Sequence, residues 1–246
     1  MTSTVNGKVT DSNQLYVAER GIKEAGLSEG GKVLDIGCGD GDAVAYLCEN
    51  CGMKAEGIDM NLAAVEKAKE KHPGIDVKLG DGEFLEDYLS FTFDGVFMKD
   101  VLNVINIPDE ALHEAFCVLK KGGKLIISDM YYKQPDPNRI KAVKIEADRL
   151  AKVPRKLGDC DSPVKRFVDF KFEGVFFEEP LKAELERIGY EVAFFEDITD
   201  KVPDSEAVNN VNEARRADTE EAQDTKNKKD DRENTGRFLL IAEKPL

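Results

Sequence analysis

Residues Lys32–Asp42 read K-V-L-D-I-G-C-G-D-G-D and contain the strongest fold signal in this chain of 246 residues. After Lys32 the segment continues with V-L-D-I, a short apolar run broken by one acid, which is typical of a buried parallel strand. Gly37, Gly39 and Gly41 follow at alternate positions and make a turn into a predicted helix. Glycine allows positive φ and places no Cβ between the backbone and a ligand. A strand, a glycine turn and a helix N-terminus predict a nucleotide-type pocket at the carboxyl end of a sheet.

The glycine spacing distinguishes between kinds of nucleotide ligand. The dinucleotide fingerprint G-x-G-x-x-G would need glycine at Asp42, whereas the third glycine here comes one residue earlier, at Gly41. A P-loop is excluded because no Lys-Ser or Lys-Thr follows. A negative charge at Asp40 or Asp42 would repel a pyrophosphate but suits a cationic ligand. The spacing therefore disfavours an NAD oxidoreductase, and a glycine turn without any ligand is the simplest alternative.

Composition bounds the class of protein. A hydrophobic content of 41% suffices for the core of one domain spanning residues 1–246. The net charge of −14 disfavours binding to nucleic acid or to anionic membranes, which require basic patches. No stretch approaches the roughly 20 apolar residues of a membrane span, and the N-terminal M-T-S-T-V-N-G-K lacks the apolar run of a signal peptide. We therefore expect a cytoplasmic protein with a small-molecule partner; the oligomeric state stays open.

The cysteines predict reduced thiols and no metal site. Their number is five, which is odd, and no secretory signal accompanies them. Cys48 and Cys51 form a C-x-x-C pair, but they lie near the end of a predicted helix. A redox or zinc pair would require a helix N-terminus or a second pair. Cys38 and Cys117 read as small core or turn residues.

Strand and helix signals alternate along most of the chain. The predicted strands are 33–36, 54–59, 77–79, 93–98, 124–129, 191–195 and 237–243, and the predicted helices are 13–27, 42–51, 62–71, 108–120 and 180–188. This alternation predicts a parallel sheet with helices on both faces.

Two segments depart from the alternation. Residues 131–180 are predicted to form a cap-like insertion, with Asp136 as an N-cap before Pro137. Its aromatic residues either pack the cap onto the sheet or line an apolar acceptor pocket; they are Phe167, Phe170, Phe172, Phe176 and Phe177. Residues 200–235 begin with a possible helix after Pro203 and then become strongly polar, which predicts a partly disordered excursion before the last strand.

Several motifs together resemble class I S-adenosylmethionine (SAM) dependent methyltransferases. V-L-D-I-G-C-G-D-G is similar to their motif I, and G-I-D-M, G-D-G-E-F-L and F-D-G-V-F follow in order. A-F-C-V-L-K-K-G-G-K-L-I-I-S-D resembles the E-x-x-R-V-L-K-P-G-G segment of the ubiquinone and menaquinone biosynthesis type, with Cys117 in place of Arg and Lys121 in place of Pro.

The resemblance implies an α/β fold. The expected architecture is a Rossmann-like, seven-stranded, mostly parallel sheet with helices on both faces and a small cap insertion. The last strand is expected to enter antiparallel between the fifth and sixth strands. The resemblance also implies SAM as the cofactor and S-adenosylhomocysteine as its product.

Acids at strand ends are the candidate cofactor ligands. Asp59 ends the second strand about 20 residues after the glycine turn, where an acid can accept both ribose hydroxyls. Met60 follows and can lie against an adenine face. Asp81 can accept from the adenine amine, and the Gly82 N–H can reach a ring nitrogen. Three such matches in the correct order support one another, although each acid alone is commonly a solvated loop residue.

The resemblance adds the remaining cofactor residues. Asp35 lies inside the first strand and would be costly to bury unpaired. The resemblance implies that it holds the glycine loop and faces the amino end of SAM. It likewise assigns Gly37, Cys38 and Gly39 of the glycine turn and Met98 at the end of the fourth strand to the cofactor site.

The acceptor side is predicted from fewer residues. SAM carries its own electrophilic methyl group, so the protein must mainly align a nucleophile with the C–S bond. Asp100, just beyond the fourth strand, is the first candidate base, although a helix-capping or surface acid would look the same. Lys99 beside it could lower the pKa of Asp100 or simply be solvated. Tyr131 at the end of the fifth strand is a second catalytic candidate.

Two functional alternatives stay open. Arsenite methyltransferases share this layout, including S-D-x-Y on the fifth strand (Ser128–Tyr131 here) and a downstream cysteine, here Cys160. That family also has a cysteine where this chain has Asp100, and soft metalloid capture needs thiolates. A non-catalytic SAM-binding protein is the second alternative. A complete cofactor set with an open cap favours an enzyme acting on a small molecule.

Overall fold

A computed structural model describes residues 2–5, 8–151, 168–202 and 234–246. Phe167, Cys160 and most of the polar excursion lie outside these ranges, so the predictions made for them stay predictions.

Eleven strands and six helices occur in the described part of the chain. The strands are β1 (Thr2–Val5), β2 (Lys8–Asp11), β3 (Lys32–Ile36), β4 (Lys54–Asp59), β5 (Asp76–Leu79), β6 (Phe93–Lys99), β7 (Leu119–Tyr132), β8 (Lys171–Phe172), β9 (Val175–Phe176), β10 (Glu191–Asp197) and β11 (Thr235–Glu243). The helices are α1 (Ser12–Ala25), α2 (Asp42–Glu49), α3 (Leu62–Lys71), α4 (Pro108–Val118), α5 (Pro137–Ala151) and α6 (Glu178–Ile188).

The main sheet confirms the predicted fold class. Its strand order is β10-β11-β7-β6-β3-β4-β5, seven strands along one path, with the short β8 and β9 attached beside β7. The pairs β3–β4, β3–β6, β4–β5 and β6–β7 are parallel. Strand β11 is antiparallel to both β10 and β7, as expected for the last strand. The carboxyl ends of β3 to β7 therefore meet at one edge, where the predicted site residues lie.

Apolar side chains cover both faces of this sheet. One face carries α4 and α6 and buries Val96 and Met98 of β6. The other face carries α1, α2 and α3 and buries Phe97 of the same strand. This division follows from the twofold alternation of side chains along a strand. It also determines which residues of a strand end can face the glycine turn.

Strand β7 is longer than the sequence predicted. It runs over Leu119–Tyr132 because β6 and β11 offer pairing partners well beyond the predicted core of 124–129. Leu119 pairs with Phe93, and Tyr132 pairs with Thr235. Helix α4 accordingly ends at Val118 and not at residue 120.

The chain begins with an antiparallel hairpin that the sequence reading did not predict. Strands β1 and β2 pair from Thr2↔Asp11 to Val5↔Lys8. The Asn6-Gly7 dipeptide between them is a strong hairpin signal and would have sufficed for the prediction.

The described part of residues 131–180 contains helix α5 and the β8–β9 hairpin. Strand β9 pairs with β7 at Tyr131↔Phe176 and lies beyond the end of β6. Phe170, Phe176 and Phe177 are buried, and Phe170 stacks on Phe176 with ring centroids 6.3 Å apart. These three rings pack this segment onto the sheet. They follow the interpretation that the phenylalanines pack the cap, and not the one in which they line an acceptor pocket.

Within the described ranges, none of the helices combines the length and apolar character needed to cross a bilayer.

Candidate functional site

The glycine turn after β3 has the conformation that only glycine adopts easily. Gly37, Gly39 and Gly41 have φ of 72°, 54° and 78°. A Cβ on Gly37 would lie 2.4 Å from Val101, and one on Gly41 would lie 2.6 Å from Ile75. Gly39 has no atom within 4 Å of a Cβ position, so the backbone there borders open space. Gly39 is therefore where a ligand can approach the turn most closely.

Strand β4 holds this turn from the adjacent position in the sheet. The N–H groups of Gly37 and Cys38 both donate to the Ile58 carbonyl, at 2.8 and 3.0 Å. The Cys38 side chain is buried, and a Cβ on Gly57 would lie 2.9 Å from its Sγ. Burial, together with nearby Asp35 and Asp59, raises the pKa of the Cys38 thiol to about 12. Cys38 can thus contribute its backbone to a ligand site but not a thiolate.

The two other acids of the glycine turn do not face a ligand. Asp42 is buried and accepts from Lys71 Nζ at 2.5 Å and contacts His72 Nε2 at 2.7 Å. Asp40 pairs with Lys71 at 2.9 Å and with Lys67 at 3.2 Å. Because side chains of α3 and His72 already pair with both acids, the expectation that these charges select a cationic ligand stays a prediction. The acids join the N-terminus of α2 to α3 instead.

Asp59 organises the turn from the end of β4. Its Oδ2 accepts from the Gly39 N–H at 2.9 Å, and its Oδ1 accepts from the Asn61 N–H at 2.8 Å. Asn61 in turn caps α3 by accepting from Ala63 at 3.0 Å. A carboxylate has about four acceptor positions, so two remain for ribose hydroxyls. The residue fits its predicted role and also holds Gly39 in place.

The residues predicted to contact adenine lie at the adjacent strand ends. Met60 is 69% exposed, so its thioether is free to cover a ring. Asp81 accepts from the Glu83 N–H at 2.9 Å through Oδ1. A Cβ on Gly82 would lie 2.5 Å from Ile36, which means that only glycine lets this loop approach the end of β3. The arrangement is compatible with the predicted adenine contacts.

Glu83 is a structural acid that the sequence reading did not single out. It is buried, and its Oε1 accepts from the N–H groups of Asn106 and Ile107, at 2.8 and 3.0 Å. These donors precede α4, so Glu83 satisfies backbone groups at the start of that helix. The adenine-side loop and the loop after β6 are thereby joined. An acid two residues after Asp81 in G-D-G-E-F-L was the available signal.

Asp35 and Lys99 form a buried ion pair beside the glycine turn. Asp35 is fully buried, Lys99 is 5% exposed, and Asp35 Oδ2 has no hydrogen-bond partner. Burial raises the pKa of Asp35, and Lys99 opposes this shift. The sequence reading placed Lys99 next to Asp100 as a possible influence on its pKa. The structure pairs Lys99 with Asp35 because alternation along β6 directs neighbouring side chains apart.

The Met98 side chain is fully buried in the core on the face that carries α4 and α6. It has no surface open to a ligand, so its contact with a cofactor would be through the backbone.

Asp100 is held at the edge by Arg237 of the last strand. Arg237 Nη2 donates to Asp100 Oδ1 at 2.6 Å, and the Asp100 N–H donates to the Ser128 carbonyl at 2.9 Å. Asp100 has φ of 53°, an unusual value for a residue with a Cβ. Its side chain is 27% exposed, whereas that of Arg237 is 3% exposed. The sequence reading missed Arg237, because only the antiparallel pairing of β11 with β7 brings it here.

Asp129 lies close to Asp100 but is fully buried. Its Oδ2 accepts from the Asn103 N–H at 3.1 Å and its Oδ1 from the Met130 N–H at 2.8 Å. Burial first, and then the charge of Asp100, raise the pKa of Asp129 to about 8. The acid therefore fixes the loop after β6 and keeps a proton more readily than an exposed aspartate.

Tyr131 belongs to a different group of contacts. Its ring packs edge-on against Phe195 and Phe238, with centroids 5.4 and 5.9 Å apart. Burial and a hydrogen bond to Asp197 raise the pKa of its hydroxyl. Asp100 is bound to Arg237 and Tyr131 to Asp197, so the structure does not link the two predicted catalytic residues.

This fold and this strand-end site together define a SAM-dependent methyltransferase of the Rossmann-like class. The chain belongs to the methyltransferase-domain family, whose model matches residues 27–159. The matched residues accordingly form a methyltransferase domain of the SAM-dependent kind.

Three curated relatives each match less than half of the chain. A segment of 118 residues is 30% identical to phosphoethanolamine N-methyltransferase 1 of Triticum aestivum. The aligned segment covers 46% of this chain and 23% of that protein. A second match of 118 residues is 29% identical to demethylmenaquinone methyltransferase of Renibacterium salmoninarum, with coverages of 48% and 49%. A match of 129 residues is 33% identical to arsenite methyltransferase of Mus musculus, with coverages of 46% and 34%. The chain thus spans from about a quarter to about half of these relatives.

Solved structures extend the likeness over nearly the whole chain. Haemonchus contortus phosphoethanolamine N-methyltransferase 2 in complex with SAM aligns with 96% of this chain and 53% of that chain. The TM-score is 0.60 at 17% sequence identity, which shows a shared fold.

Proposed function

We propose that this enzyme transfers the methyl group of SAM to an amine nitrogen of a small molecule bound beside Asp100. The observation that carries the proposal is the hydrogen bonding and exposure of the Asp100 carboxylate. Arg237 holds Oδ1, whereas Oδ2 has no hydrogen bond among the described residues and the side chain is partly exposed. A positioned carboxylate with one open oxygen, at the edge that carries the glycine turn, is suited to receive an N–H group.

Different residues of the chain would contact different parts of the cofactor. When bound, SAM supplies an electrophilic methyl group on a sulfonium centre. The backbone of Gly37–Gly39 would border the cofactor, and Asp59 would accept the ribose hydroxyls. Met60, Asp81 and Gly82 would surround the adenine. These residues fit the group, because Gly39 borders open space and Asp59 keeps two acceptor positions after binding the turn.

Asp100 would orient the acceptor and take part in its proton balance. An amine attacks only as the neutral base, so one proton must leave the ammonium form before or during attack. Asp100 Oδ2 can accept that proton or pass it to water while the new N–C bond forms and the S–C bond breaks. The ion pair with Arg237 keeps the carboxylate in one position, which favours alignment. Tyr131 is the weaker candidate, since its hydroxyl is engaged by Asp197.

The contacts of Asp100 and the relatives both support an amine. Arg237 holds one oxygen of Asp100, and the raised pKa of buried Asp129 keeps a proton on that neighbour near neutral pH, so the partly exposed Asp100 carboxylate is the group that an N–H donor would meet. The phosphoethanolamine N-methyltransferase relative acts, by its name, on an amine. A cytoplasmic location and the absence of nucleic-acid and membrane partners stay predictions.

Arsenite is the second candidate acceptor, since one relative is an arsenite methyltransferase. The chemistry of the site speaks against it. Cys38 is buried with a raised pKa, and Asp100 occupies the position where the resemblance would require a thiol. Cys160 lies outside the described residues. A protein that binds SAM without methyl transfer is the third reading.

A panel of acceptors with methyl-labelled SAM tests the proposal. Small primary and secondary amines, including phosphoethanolamine, form the first group; a demethylated quinol, arsenite with a thiol, and a blank without acceptor complete the panel. We expect label in an N-methyl product and formation of S-adenosylhomocysteine. Transfer to the quinol oxygen or carbon, or to arsenic, would contradict the amine proposal. Binding of SAM without transfer to any member would favour the non-catalytic reading.

A further inference from the structure

Helix α4 carries a mixed set of metal-binding side chains on its outer face. Glu110, His113 and Glu114 each offer one ligand atom, and these three atoms lie within 4.8 Å of one another. Cys117 Sγ lies 3.9 Å from His113 Nδ1. The four residues follow the i, i+3, i+4, i+7 spacing that places side chains on one face of a helix, while the opposite face of α4 is buried in the core. An imidazole, a thiol and two carboxylates are thereby gathered at one place.

All four side chains can be reached by a dissolved ion. His113 is exposed, and Glu110, Glu114 and Cys117 are half-buried. Helix α4 follows the carboxyl end of β6 and ends where β7 begins. Cys117, near the end of α4, therefore lies towards the edge of the sheet opposite to the glycine turn. The cluster is separate from the strand-end site described above.

Helix α4 has no basic residue of its own to balance its acids. Its sequence P-D-E-A-L-H-E-A-F-C-V contains three carboxylates and no Lys or Arg. On α5 and α6, by contrast, acids pair with a cation three or four residues away, as in Glu146–Arg149 and Glu178–Lys182. No ion pair joins Glu110 or Glu114 to a cation within the part of the chain that the structure describes. A bound divalent cation would supply the missing positive charge.

The surroundings hold Glu114 in place and leave the cluster free of competing cations. Glu114 Oε2 accepts from the Leu85 N–H at 2.8 Å, so the carboxylate is oriented while Oε1 stays open. Lys244 is the cation whose charge acts on Cys117. Its Nζ donates to the carbonyls of Phe116 and Leu119, at 2.7 and 2.8 Å, and so is engaged by the backbone at the end of the helix.

We propose that Glu110, His113, Glu114 and Cys117 bind one Zn²⁺ ion. One nitrogen, one sulfur and two carboxylate oxygens make a four-coordinate set of the kind that Zn²⁺ takes. Bonds of about 2.3 Å to sulfur and about 2.0–2.1 Å to nitrogen place two ligands roughly 3.5 Å apart, close to the separation of Cys117 and His113. On binding, the thiol proton passes to water and the thiolate bonds to the metal.

The ligand set distinguishes Zn²⁺ from harder cations. Mg²⁺ and Ca²⁺ prefer oxygen ligands alone, whereas imidazole and thiolate favour Zn²⁺ and its neighbours among the transition metals. Cysteine pairs gave no reason to expect a metal in this chain. The helical spacing of one histidine and two glutamates beside Cys117 is a different signal, and it needs no second cysteine.

Calorimetry with Zn²⁺ on the full chain tests the site, after a phosphine has reduced the thiols and a chelator has been removed. We expect one ion per chain to bind at micromolar concentration or below. His113→Ala should weaken this binding by at least about tenfold, since even the outer partners of metal ligands are worth 10–100-fold in affinity. Glu110→Gln and Cys117→Ser should act in the same direction.

Two matched controls separate the cluster from other acids and thiols. Glu70→Gln replaces an exposed acid on α3, and Cys51→Ser replaces a half-buried cysteine outside α4. Both should leave the Zn²⁺ affinity within about twofold of the unaltered chain. Thermal unfolding with a chelator present shows that each variant is folded. Without chelator, a hundredfold excess of Zn²⁺ over its dissociation constant should raise the midpoint of the unaltered chain by about 5 °C or more, and that of His113→Ala by less.

Co²⁺ in place of Zn²⁺ reports the ligands by absorption. A four-coordinate site with a thiolate gives intense visible bands and a sulfur-to-cobalt charge-transfer band, and Cys117→Ser should remove the latter while Cys51→Ser keeps it. Unchanged Zn²⁺ affinity in folded His113→Ala would overturn the inference, as would loss of binding in Cys51→Ser. An unaltered chain that binds no Zn²⁺, or that binds Mg²⁺ equally well, would also overturn it. None of these measurements depends on methyl transfer.

Discussion

At the scale of single residues, the site depends on acids that carry two tasks at once. Asp59 holds the Gly39 N–H and the start of α3 while keeping acceptor positions for a ligand. Asp100 is fixed by Arg237 through one oxygen, and its other oxygen has no partner in the described part of the chain. A carboxylate suits such double use, because its acceptor positions can be shared between backbone and ligand.

Replacing Asp59 tests the ribose contact. Asp59→Ala should weaken SAM binding by about 2–3 kcal/mol, since two hydrogen bonds to a charged acceptor are lost. The fold should survive because the side chain is at a strand end. Calorimetry gives the affinity, and Asp76→Ala, an exposed acid on β5, is the matched control. An unchanged dissociation constant in folded Asp59→Ala would place the ribose elsewhere.

Replacing Asp100 tests the acceptor side. Asp100→Asn keeps the size and an oxygen for Arg237 but removes the charge. SAM affinity should stay constant while turnover on the acceptor found in the panel falls roughly 10²-fold or more. Asp87→Asn, at an exposed position, should leave both quantities unchanged. Full activity of Asp100→Asn would mean that the acceptor arrives deprotonated or that another group, such as Tyr131, accepts the proton.

At the scale of elements, the N-terminus of α2 is fastened to the end of α3. Asp42 occupies the first position of α2, where a negative charge is favourable at the helix N-terminus. It reaches Lys71 and His72 at the end of α3. The glycine turn lies between β3 and this fastened helix, so its backbone is held from both sides.

Removing this connection should reduce stability measurably. Asp42→Ala is expected to lower the free energy of unfolding by about 2 kcal/mol or more, because a buried carboxylate with two polar partners is lost. Chemical denaturation without cofactor gives the value. Lys67→Ala removes the more exposed partner of Asp40 and should change stability by less than about 0.5 kcal/mol. Equal effects of the two substitutions would show that the Asp42 contacts contribute nothing specific.

At the scale of the whole molecule, the buried acids at the carboxyl edge of the sheet should shape the pH dependence of folding. The pKa of Asp129 is raised from its ordinary value of 3.8 to about 8 in the folded chain. The folded state therefore keeps a proton that the unfolded state loses between these values. Stability from this group is greatest below the unfolded pKa and falls as pH rises through the folded pKa.

The change of the free energy of unfolding with pH can be measured directly. Between about pH 5 and 8, the free energy of unfolding of the unaltered chain should carry a falling contribution of up to about 1.4 kcal/mol per pH unit from Asp129. Asp129→Asn cannot titrate and should flatten the curve in this range, even if the loss of one hydrogen bond lowers stability at every pH. The pKa of Asp35 is also raised, so Asp35 adds a contribution of the same sign to the pH dependence of stability in the unaltered chain and in the Asp129→Asn variant. Identical slopes would contradict the assignment.

Local sequence was sufficient for the fold class and for the position of the glycine turn. The apolar run and glycine turn at 32–42 predicted β3 and its edge, the alternation of signals predicted a parallel sheet with helices on both faces, and the family resemblance predicted the place of the last strand. Asp59 lies at the predicted place because strand ends are determined by a few consecutive residues. Strand limits were less accurate where pairing with a distant strand, as between β7 and β11, extended a strand beyond its local signal.

Tertiary structure alone decided which side chains meet. Asp40 and Asp42 both pair with Lys71, about 30 residues away. Lys99 pairs with Asp35 and not with its neighbour Asp100, and Arg237 reaches Asp100 across 137 residues of sequence. The physical reason is that a residue's sequence neighbours fix the backbone, whereas the partner of a buried charge is chosen by the strand packed beside it.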